Sequence, residues 1–287
     1  MCPSLSLLYD RIRLEEKELI NASEKRSTPL KAVDAKEIYL TITAPDKGAE
    51  LFGDVCLERC VSYFRGLHLT AILGNKGVQV INNFNVANTC GNKLLTTLTL
   101  AKAGIPTPKT MVAFTLEEAM RALEEIGYPA VIKPIFGSWG RLIAPLKDYE
   151  TAQAIFEDRE EMGNPLYQIF YIQEMVNRPP RDIRTVVVGD EIVACIYRYS
   201  APGDWRTNIA RGGKAEVCPV EGDFRELVLK ASKAVGGGVL GVDAMETKEG
   251  TVIHEVNNTV EFKGAMSVSE TDIPGKIIDY AISLAKK

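Results

Sequence analysis

The sequence predicts an α/β protein with more than one subdomain. Over roughly the first 85 residues, short apolar strands alternate with helices, a pattern typical of a mainly parallel sheet. After residue 180 the strands instead come in pairs separated by turns, which indicates antiparallel hairpins. At 287 residues the chain also exceeds the length of an average domain, so we expect two or three subdomains.

The amino-terminal lobe, residues 1–88, is predicted to contain three strands and two helices. In chain order these lie at residues 5–9, 13–22, 55–57, 61–74 and 78–81. The lobe has neither a GxGxxG fingerprint nor a P-loop, so the sequence disfavours a Rossmann dehydrogenase.

Two further lobes are expected at residues 89–170 and 171–287. The middle lobe has predicted helices and strands at residues 89–103, 115–126, 130–133 and 168–175. The last lobe has predicted hairpins and helices at residues 185–197, 224–235, 239–256 and 273–284.

The second predicted hairpin brings three oxygen-bearing side chains together. Glu255 and Asn257 are two residues apart on one strand and so share a face, and Asp243 on the facing strand can join them. Hard oxygen ligands suit Mg²⁺, which keeps its other positions for water and phosphate. A charged hairpin exposed to solvent is the alternative, and these residues alone leave both interpretations open.

Glycines and lysines in the middle lobe indicate a phosphate site. The loop Gly137-Ser138-Trp139-Gly140 lies between two strands, where glycines let backbone N–H groups approach phosphate oxygens. Lys133 ends the strand before this loop, and Lys93 lies near the start of the lobe. Together they suit a polyphosphate, although a tight turn also needs glycines and a single lysine is more often a surface residue.

Composition and charge exclude several classes of protein. The net charge of −4 argues against general nucleic-acid binding, whereas residues 178–214 carry +3, mostly from arginine. We interpret that segment as an anion site, with a solvated surface strip as the alternative. We expect a cytoplasmic protein, because the sequence has no membrane-spanning apolar run and no signal peptide. Six scattered cysteines without a CxxC pair predict buried free thiols rather than a zinc site.

Several motifs occur in the order found in ATP-grasp carboxylate–amine ligases. They are Lys93, Lys133-Pro134, Gly137-Ser138-Trp139-Gly140-Arg141, Gln173-Glu174, Arg181-Asp182-Ile183-Arg184, Asn208-Ile209-Ala210-Arg211-Gly212-Gly213, Asp243 and Glu255-Val256-Asn257. The sequence resembles the branch that contains RimK and LysX, over almost the whole chain. The resemblance implies an ATP-grasp fold, in which an amino-terminal parallel α/β lobe precedes two α+β subdomains that clasp ATP.

The same resemblance implies a role for each motif. It implies that the nucleotide phosphates are contacted by Lys93 and Lys133 and covered by the loop Gly137, Ser138, Trp139, Gly140 and Arg141. It implies an adenine hinge at Gln173, Glu174, Met175 and Val176, with further ATP contacts at Asp182, Arg198 and Asn208. It also implies that Arg184 and Arg211 bind the acyl phosphate and that the metal ligands are Asp243, Glu255 and Asn257. ATP and two Mg²⁺ ions are the implied cofactors. Relatives commonly have Gly-Asp-Lys where this chain has Gly91-Asn92-Lys93, so a charge is lost at Asn92.

By its resemblance to the LysX type, the protein is expected to phosphorylate a carboxylate with ATP and let an amine attack the acyl phosphate. The carboxylate would be the γ-carboxyl of the C-terminal glutamate of the acidic carrier LysW, and the amine that of 2-aminoadipate, in lysine biosynthesis. The carrier tail would bind residues 178–214. Asn258 and Thr259 would set amine specificity, with a strand-to-turn transition as the alternative reading of that pair.

Two alternatives to this function stay open. The amine could be glutamate, added to LysW in arginine biosynthesis or to protein tails by a RimK-like enzyme. From another class, the chain could be a silent ATP-binding regulatory module. We expect a homo-oligomer, and neither nucleic acid nor a membrane as a partner.

Overall fold

The computed structural model describes residues 3–44, 48–201, 205–207 and 213–285. Within them lie one parallel and two antiparallel sheets, which occur in succession along the chain. The expected mixed α/β architecture is therefore confirmed.

The first sheet is parallel, with strand order β2-β1-β3-β4. Its unit consists of β1 (Leu5–Tyr9), α1 (Leu14–Lys25), β2 (Leu30–Asp34), a 3-10 turn (Ala49–Leu51), β3 (Val55–Glu58), α2 (Tyr63–Asn75) and β4 (Gln79–Ile81). Strand β2 was not predicted, because only Leu30 and Val33 of its five residues are buried and the apolar pattern is correspondingly weak. The carboxyl ends of the parallel strands lie at one edge, the usual location of ligands in such sheets.

Two short helices connect this unit to the next, where the sequence predicted one long helix. Helix α3 (Phe84–Gly91) ends where α4 (Lys93–Lys102) begins. Asn92 between them is extended, and its side-chain oxygen accepts hydrogen bonds from the N–H groups of Leu94 at 3.0 Å and Leu95 at 3.4 Å. The prediction of one helix over residues 89–103 is wrong because this asparagine caps a new helix.

The second sheet is antiparallel, with order β5-β8-β6-β7. Its unit contains β5 (Thr110–Ala113), α5 (Leu116–Ile126), β6 (Ala130–Lys133), β7 (Ala144–Leu146), α6 (Tyr149–Glu161), a 3-10 turn (Pro165–Gln168) and β8 (Phe170–Glu174). The predicted helix at residues 115–126 is confirmed, with Thr115 as its cap. The glycine loop joins two strands, as expected.

The third sheet is antiparallel, with order β11-β10-β9-β12-β13. Its unit contains β9 (Arg181–Val188), β10 (Glu191–Tyr199), β11 (Ala215–Val217), α7 (Gly222–Ala234), β12 (Val239–Thr247), β13 (Gly250–Asn257), α8 (Lys263–Met266) and α9 (Ile273–Ala285). Both predicted hairpins are confirmed. In the second, Asp243 pairs with Glu255 but Ala244 pairs with Ile253, so His254 is the extra residue of a β-bulge.

The hydrophobic cores do not follow the three sheets one to one. One core packs strand β1 and helix α1 together with α9 and the inner residues of β9 and β12, so it is shared by the first and third units. A separate core contains residues 113–172 only and lies inside the middle unit. The first and third units are therefore packed as one block, and the middle unit has its own interior.

The cysteines and the lengths of the helices bear on two expectations drawn from the composition. The five cysteines within the described ranges are free and buried, as predicted, while Cys2 lies outside them. Among the helices of the described segments, none has the length and apolar character needed to cross a membrane.

Candidate functional site

A cavity of about 610 Å³ lies where the three units meet. Its wall includes the carboxyl edge of the first sheet, the glycine loop, and the faces of β9, β10, β12 and β13 that point toward that loop. Most of the side chains that the sequence predicted to bind the nucleotide or metal line this one space. The lining residues among them are Lys93, Lys133, Gly137, Ser138, Trp139, Gly140, Arg141, Asp182, Arg184, Arg198, Asp243, Glu255, Asn257, Asn258 and Thr259.

Asp243, Glu255 and Asn257 come together as the hairpin pattern predicted. Asp243 and Glu255 are direct partners in the register of β12 and β13, and the Asn257 amide nitrogen lies 3.4 Å from the Asp243 Oδ2 atom. Asp243 is only 3% exposed, which excludes a solvent-exposed hairpin at this position. The described residues hold no cluster of three His, Cys, Asp or Glu side chains suited to a metal. A cation site here would therefore use two carboxylates and one amide oxygen.

Both carboxylates are held in the ionised form that metal ligation requires. Burial raises the pKa of Asp243, but Arg184 and Arg198 outweigh this effect and hold its pKa well below the ordinary range. Burial also acts on Glu255, and Lys93 outweighs it, so the pKa of Glu255 is lowered. Hard, charged oxygen donors with lowered pKa values fit Mg²⁺.

Opposite charges alternate across three neighbouring strands beside this pair. Arg198 on β10 donates two hydrogen bonds to Asp182 on β9, at 2.7 and 2.8 Å, and its Nη2 atom lies 3.2 Å from Asp243 on β12. Arg184 on β9 binds the same Asp243 through Nε and, at 2.7 Å, through Nη2. Thr207 donates a further hydrogen bond to Asp182. This cross-strand ladder fixes the direction of each side chain that faces the cavity.

The two predicted phosphate lysines lie in different surroundings. Lys93, the first residue of α4, reaches the Gly137 carbonyl at 2.8 Å and the Glu255 carboxylate at 3.2 Å. Lys133 is buried, and its Nζ atom donates to Gln173 Oε1 at 2.6 Å. Burial lowers the pKa of Lys133 to about 8. Lys93 is thus paired with the proposed metal ligand Glu255, Lys133 is bonded to a neutral amide, and both lysines line the cavity.

The glycine loop is fastened at its tip. The Trp139 Nε1 atom donates to Glu261 at 3.1 Å, and Arg13 binds the same carboxylate oxygen at 3.1 Å. Arg141 lies over the Trp139 ring, with its guanidinium carbon 5.1 Å from the ring centre. Trp139 has a φ of 60°, a conformation uncommon for a bulky side chain. The loop is thus held over the cavity by contacts from the first and third units.

The predicted adenine hinge lies beside the cavity rather than in its wall. The Gln173 side chain is buried and bonded to Lys133, Thr110 and Tyr171, so it orients the lysine. Glu174 accepts the Lys109 N–H at 2.7 Å. Met175 and Val176, which continue the chain beyond β8, also lie outside the lining of this space. Asn208 and Arg211 fall outside the described residues.

Four basic side chains in the described part of the segment at residues 178–214 are paired with carboxylates of the protein. Its internal pairs are Arg181–Glu246, Arg184–Asp243, Arg198–Asp182 and Lys214–Glu216. The interpretation of this segment as an anion site that binds the acidic carrier tail stays a prediction. Arg178 is different: it donates to the backbone carbonyls of Pro179, Arg181 and Trp205 and also lines the cavity.

Several side chains of the site were missed by sequence reasoning. His254 enters the wall through the β-bulge, and both of its ring nitrogens are buried without a partner among the described residues. Glu58 and Glu261 also line the cavity. Glu58 had a usable signal, because a glutamate that ends an apolar parallel strand lies at the edge where ligands bind. A bulge leaves no comparable mark in the sequence.

Two domain families match this chain. Residues 5–89 match the LysX preATP-grasp domain, and residues 90–281 match the RimK-like ATP-grasp domain. Among solved structures, a RimK domain ATP-grasp protein from Sphaerobacter thermophilus superposes with a TM-score of 0.78 at 26% identity, covering 96% of this chain and 98% of that one.

The relatives include two kinds of LysW ligase. A glutamate–LysW ligase, ArgX, from Sulfolobus acidocaldarius is 35% identical over 277 residues, which cover 96% of this chain and 97% of the relative. An alpha-aminoadipate–LysW ligase, LysX, from Saccharolobus solfataricus is 36% identical over 276 residues, which cover 96% of this chain and 99% of the relative.

Proposed function

This chain belongs to the RimK-like ATP-grasp ligases, and from that premise we propose that it joins the C-terminal glutamate of the carrier LysW to 2-aminoadipate. ATP would phosphorylate the γ-carboxyl of that glutamate, and the α-amino group of 2-aminoadipate would displace the phosphate. The arrangement that supports this proposal is the meeting of Asp243, Glu255 and Asn257 with Lys93 and Lys133 in one cavity. A silent regulatory module would not need this complete set.

The residues at the site suit the charge changes of such a reaction. Lys93 and Lys133 would offset the negative charge of the nucleotide phosphates, while the glycine loop covers them. Asp243, Glu255 and Asn257 would hold Mg²⁺, two ions in our proposal, and the metal supplies further charge neutralisation when bound. We assign the acyl phosphate to Arg184, which the Asp243 carboxylate orients toward the cavity, and to Arg211.

The domain boundaries proposed from the sequence, at residues 88 and 170, suit this division of work. The middle unit provides Lys133 and the glycine loop, and the third unit provides the metal hairpin and the arginines. The first unit provides Asn82, which follows β4 and donates to the Asn258 carbonyl at 2.7 Å. Within one cavity, the middle and third units would thus bind the nucleotide, and the first and third units would bind the amine.

The choice of amine is proposed to depend on Asn258 and Thr259. Both line the cavity, and the Asn258 amide donates to the Thr259 hydroxyl at 3.2 Å, which fixes the pair as a polar unit. One methylene separates 2-aminoadipate from glutamate and is worth only about 1–3 kcal/mol through apolar contact. Strong discrimination therefore requires polar groups that place the side-chain carboxylate.

We expect the double variant Asn258→Asp/Thr259→Val to shift preference from 2-aminoadipate toward glutamate. The reason is that it adds a negative charge beside the substrate carboxylate and removes a hydroxyl donor. The kcat/KM ratio for the two amino acids, measured on wild type and variant, tests this. Thr251→Val, on the strand β13 that precedes the pair and outside the lining of the cavity, should leave the ratio unchanged. If the kcat/KM ratio is the same in the double variant as in wild type, Asn258 and Thr259 do not set the choice of amine.

The proposed function is tested by the mass of the carrier. Purified LysW is incubated with the enzyme, ATP, Mg²⁺ and either 2-aminoadipate or glutamate, and its intact mass is recorded. We expect the mass to rise by one 2-aminoadipyl residue, with no change when EDTA is present. A rise only with glutamate would identify the second candidate, the function of the ArgX relative. An unmodified carrier under all conditions contradicts both.

A further inference from the structure

Glu58 is a buried carboxylate at the carboxyl end of β3, 4% exposed and in the wall of the cavity. Its Oε1 atom accepts the Cys60 N–H at 2.7 Å. The carboxylate packs against Gly66 of α2, where a Cβ atom would lie only 2.5 Å from Oε1. The carboxylate is thus fixed by the Cys60 N–H group, and it occupies space that is open only because residue 66 is a glycine.

Four of the other five buried carboxylates of the described residues are ion-paired, and the fifth, Glu15, accepts a backbone N–H as Glu58 does. The pairs are Asp10–Arg65, Glu16–Arg59, Asp182–Arg198, Asp243–Arg184 and Glu15 with the Lys263 N–H. Glu58 forms no ion pair with a described residue. Unless it takes up a proton, a buried carboxylate without an ion pair needs a cation, and at the wall of a cavity a ligand can supply one.

The groups around Glu58 do not supply the missing positive charge. Burial raises the pKa of Glu58 to about 7, and the nearby Asp10 carboxylate adds to that rise. Arg65 on α2 is directed to Asp10, and Arg59 is directed to Glu16. The Cys60 thiol beside it is neutral, because burial raises the thiol pKa. Glu58 is therefore balanced between its two protonation states near neutral pH.

Glu58 lines the same cavity as Asn258 and Thr259, the proposed amine-specificity pair. Its chain neighbour Arg59 donates to the Val260 carbonyl at 2.9 Å, and Val260 directly follows Asn258 and Thr259. An amino acid whose side-chain carboxylate lies at Asn258 and Thr259 has its α-ammonium group a few bonds away. The edge of the first sheet, where Glu58 lies, is part of the wall of this cavity.

We propose that Glu58 binds the α-ammonium group of the amino-acid substrate and accepts a proton from it. This assignment rests on the proposed function and adds a catalytic residue to it. One proton passes from the ammonium to Glu58, and the freed lone pair forms the C–N bond to the acyl phosphate carbon. The C–O bond to phosphate then breaks, and the second proton leaves with the phosphate as HPO₄²⁻. Glu58 returns its proton to solvent.

Glu58→Gln, with hydroxylamine as a second nucleophile, tests this role. Hydroxylamine is already unprotonated at neutral pH, so it traps the acyl phosphate as a hydroxamate without needing a base. We expect the variant to lose about 100-fold or more in kcat/KM for the amino acid at pH 7, while carrier hydroxamate formation stays within about threefold of wild type. The wild-type rate should rise with pH through about 7, and that step should disappear in the variant.

A pair of glycine substitutions on α2 separates catalysis from folding. Gly66→Ala places a methyl group against the Glu58 carboxylate, whereas Gly74→Ala on the same helix meets nothing within 4 Å. Both remove one glycine from a helix, so their intrinsic effects on stability match. We expect Gly66→Ala to lower amino-acid ligation at least tenfold without lowering hydroxamate formation, and Gly74→Ala to change neither.

Two results would overturn the assignment. Amino-acid ligation by Glu58→Gln within threefold of wild type, or hydroxamate formation that falls as far as ligation does, would show that Glu58 does not take the amine proton. If wild-type enzyme itself forms no carrier hydroxamate, the proposed carboxylate substrate is wrong and the assignment fails with it.

Discussion

At the scale of single residues, Arg178 and Arg181 show how surroundings separate two similar side chains. Arg181 lies 3.8 Å from the centre of the Tyr197 ring and is paired with Glu246 at 2.8 Å. Arg178 has backbone carbonyls as partners and lines the cavity. One guanidinium is therefore part of the sheet, and the other can meet an anion.

We expect Arg178→Gln to weaken binding of the acidic carrier by roughly 2- to 10-fold at low ionic strength, and less at high salt, because it removes a steering charge. Arg181→Gln is the matched control and should leave carrier affinity unchanged while lowering the unfolding temperature. Carrier affinity measured across a salt series compares the two. If Arg178→Gln and Arg181→Gln weaken carrier binding equally, Arg178 has no special role in binding the carrier.

Site residues could be predicted from the sequence where the local residue pattern assigned them to one face of a strand. Asp243, Glu255 and Asn257 could be found from sequence because strand alternation assigns a face to each residue. His254 could not be found in this way, and for Glu58 the sequence indicates a position at the ligand-binding edge of the sheet but not a role. The role of Glu58 depends on Arg59 being directed elsewhere, and the position of His254 depends on a β-bulge, so both require tertiary structure.

At the scale of elements, the junction of α3 and α4 is decided by one side chain. The oxygen of Asn92 caps α4, whose first residue is Lys93. Asn92→Ala should cost about 1 kcal/mol of stability and raise the KM for ATP, because the helix end that holds Lys93 frays. Asn92→Asp keeps the cap and should lose neither stability nor activity.

Asn83→Ala serves as the control for this prediction. Asn83 caps α3 in the same way, by accepting the Val86 N–H at 3.1 Å, but no phosphate lysine follows it. Denaturant unfolding should show a similar loss for both alanine variants, and ATP kinetics should change only for Asn92→Ala. A KM that also rises in Asn83→Ala would mean that general destabilisation, not the position of Lys93, is responsible.

Elements were predictable where apolar alternation and turns agreed. The hairpins β9–β10 and β12–β13 have both signals and were confirmed. Strand β2 and helix α6 were missed, since β2 buries little and α6 has a highly charged sequence with few buried positions. The break at Asn92 was missed because asparagine within a helical pattern does not itself reveal a cap.

At the scale of the whole molecule, a buried charge network joins the first and third units. Glu16 on α1 receives hydrogen bonds from Arg13 and Arg59, and Arg59 continues to the Val260 carbonyl. Glu16→Gln leaves Arg59 buried without its counter-charge and should cost about 3–5 kcal/mol at pH 7. Glu24→Gln, on the exposed side of the same helix, should change little.

The pH dependence of that cost has a definite sign. Burial raises the pKa of Glu16, but Arg13 and Arg59 outweigh it, so the folded-state pKa is below the unfolded value of about 4.3. The stabilisation is complete above the unfolded pKa and is lost as pH falls through the folded pKa. The difference in unfolding free energy between wild type and Glu16→Gln, followed from pH 7 into acid, should therefore narrow. A constant difference would exclude ionised Glu16 as its source.

The separate interior of residues 113–172 has a consequence for amide hydrogen exchange. Because the middle unit shares no core with its neighbours, its β6 and β8 amides can exchange through an opening that leaves the rest of the protein folded. Amides of β1 and β9 belong to the joint core and should exchange only when that whole block unfolds. A nucleotide bound as we propose would contact Lys133 of the middle unit and the metal hairpin of the third unit. It should therefore slow exchange in the middle unit most, and the middle unit should then open only together with the rest of the protein.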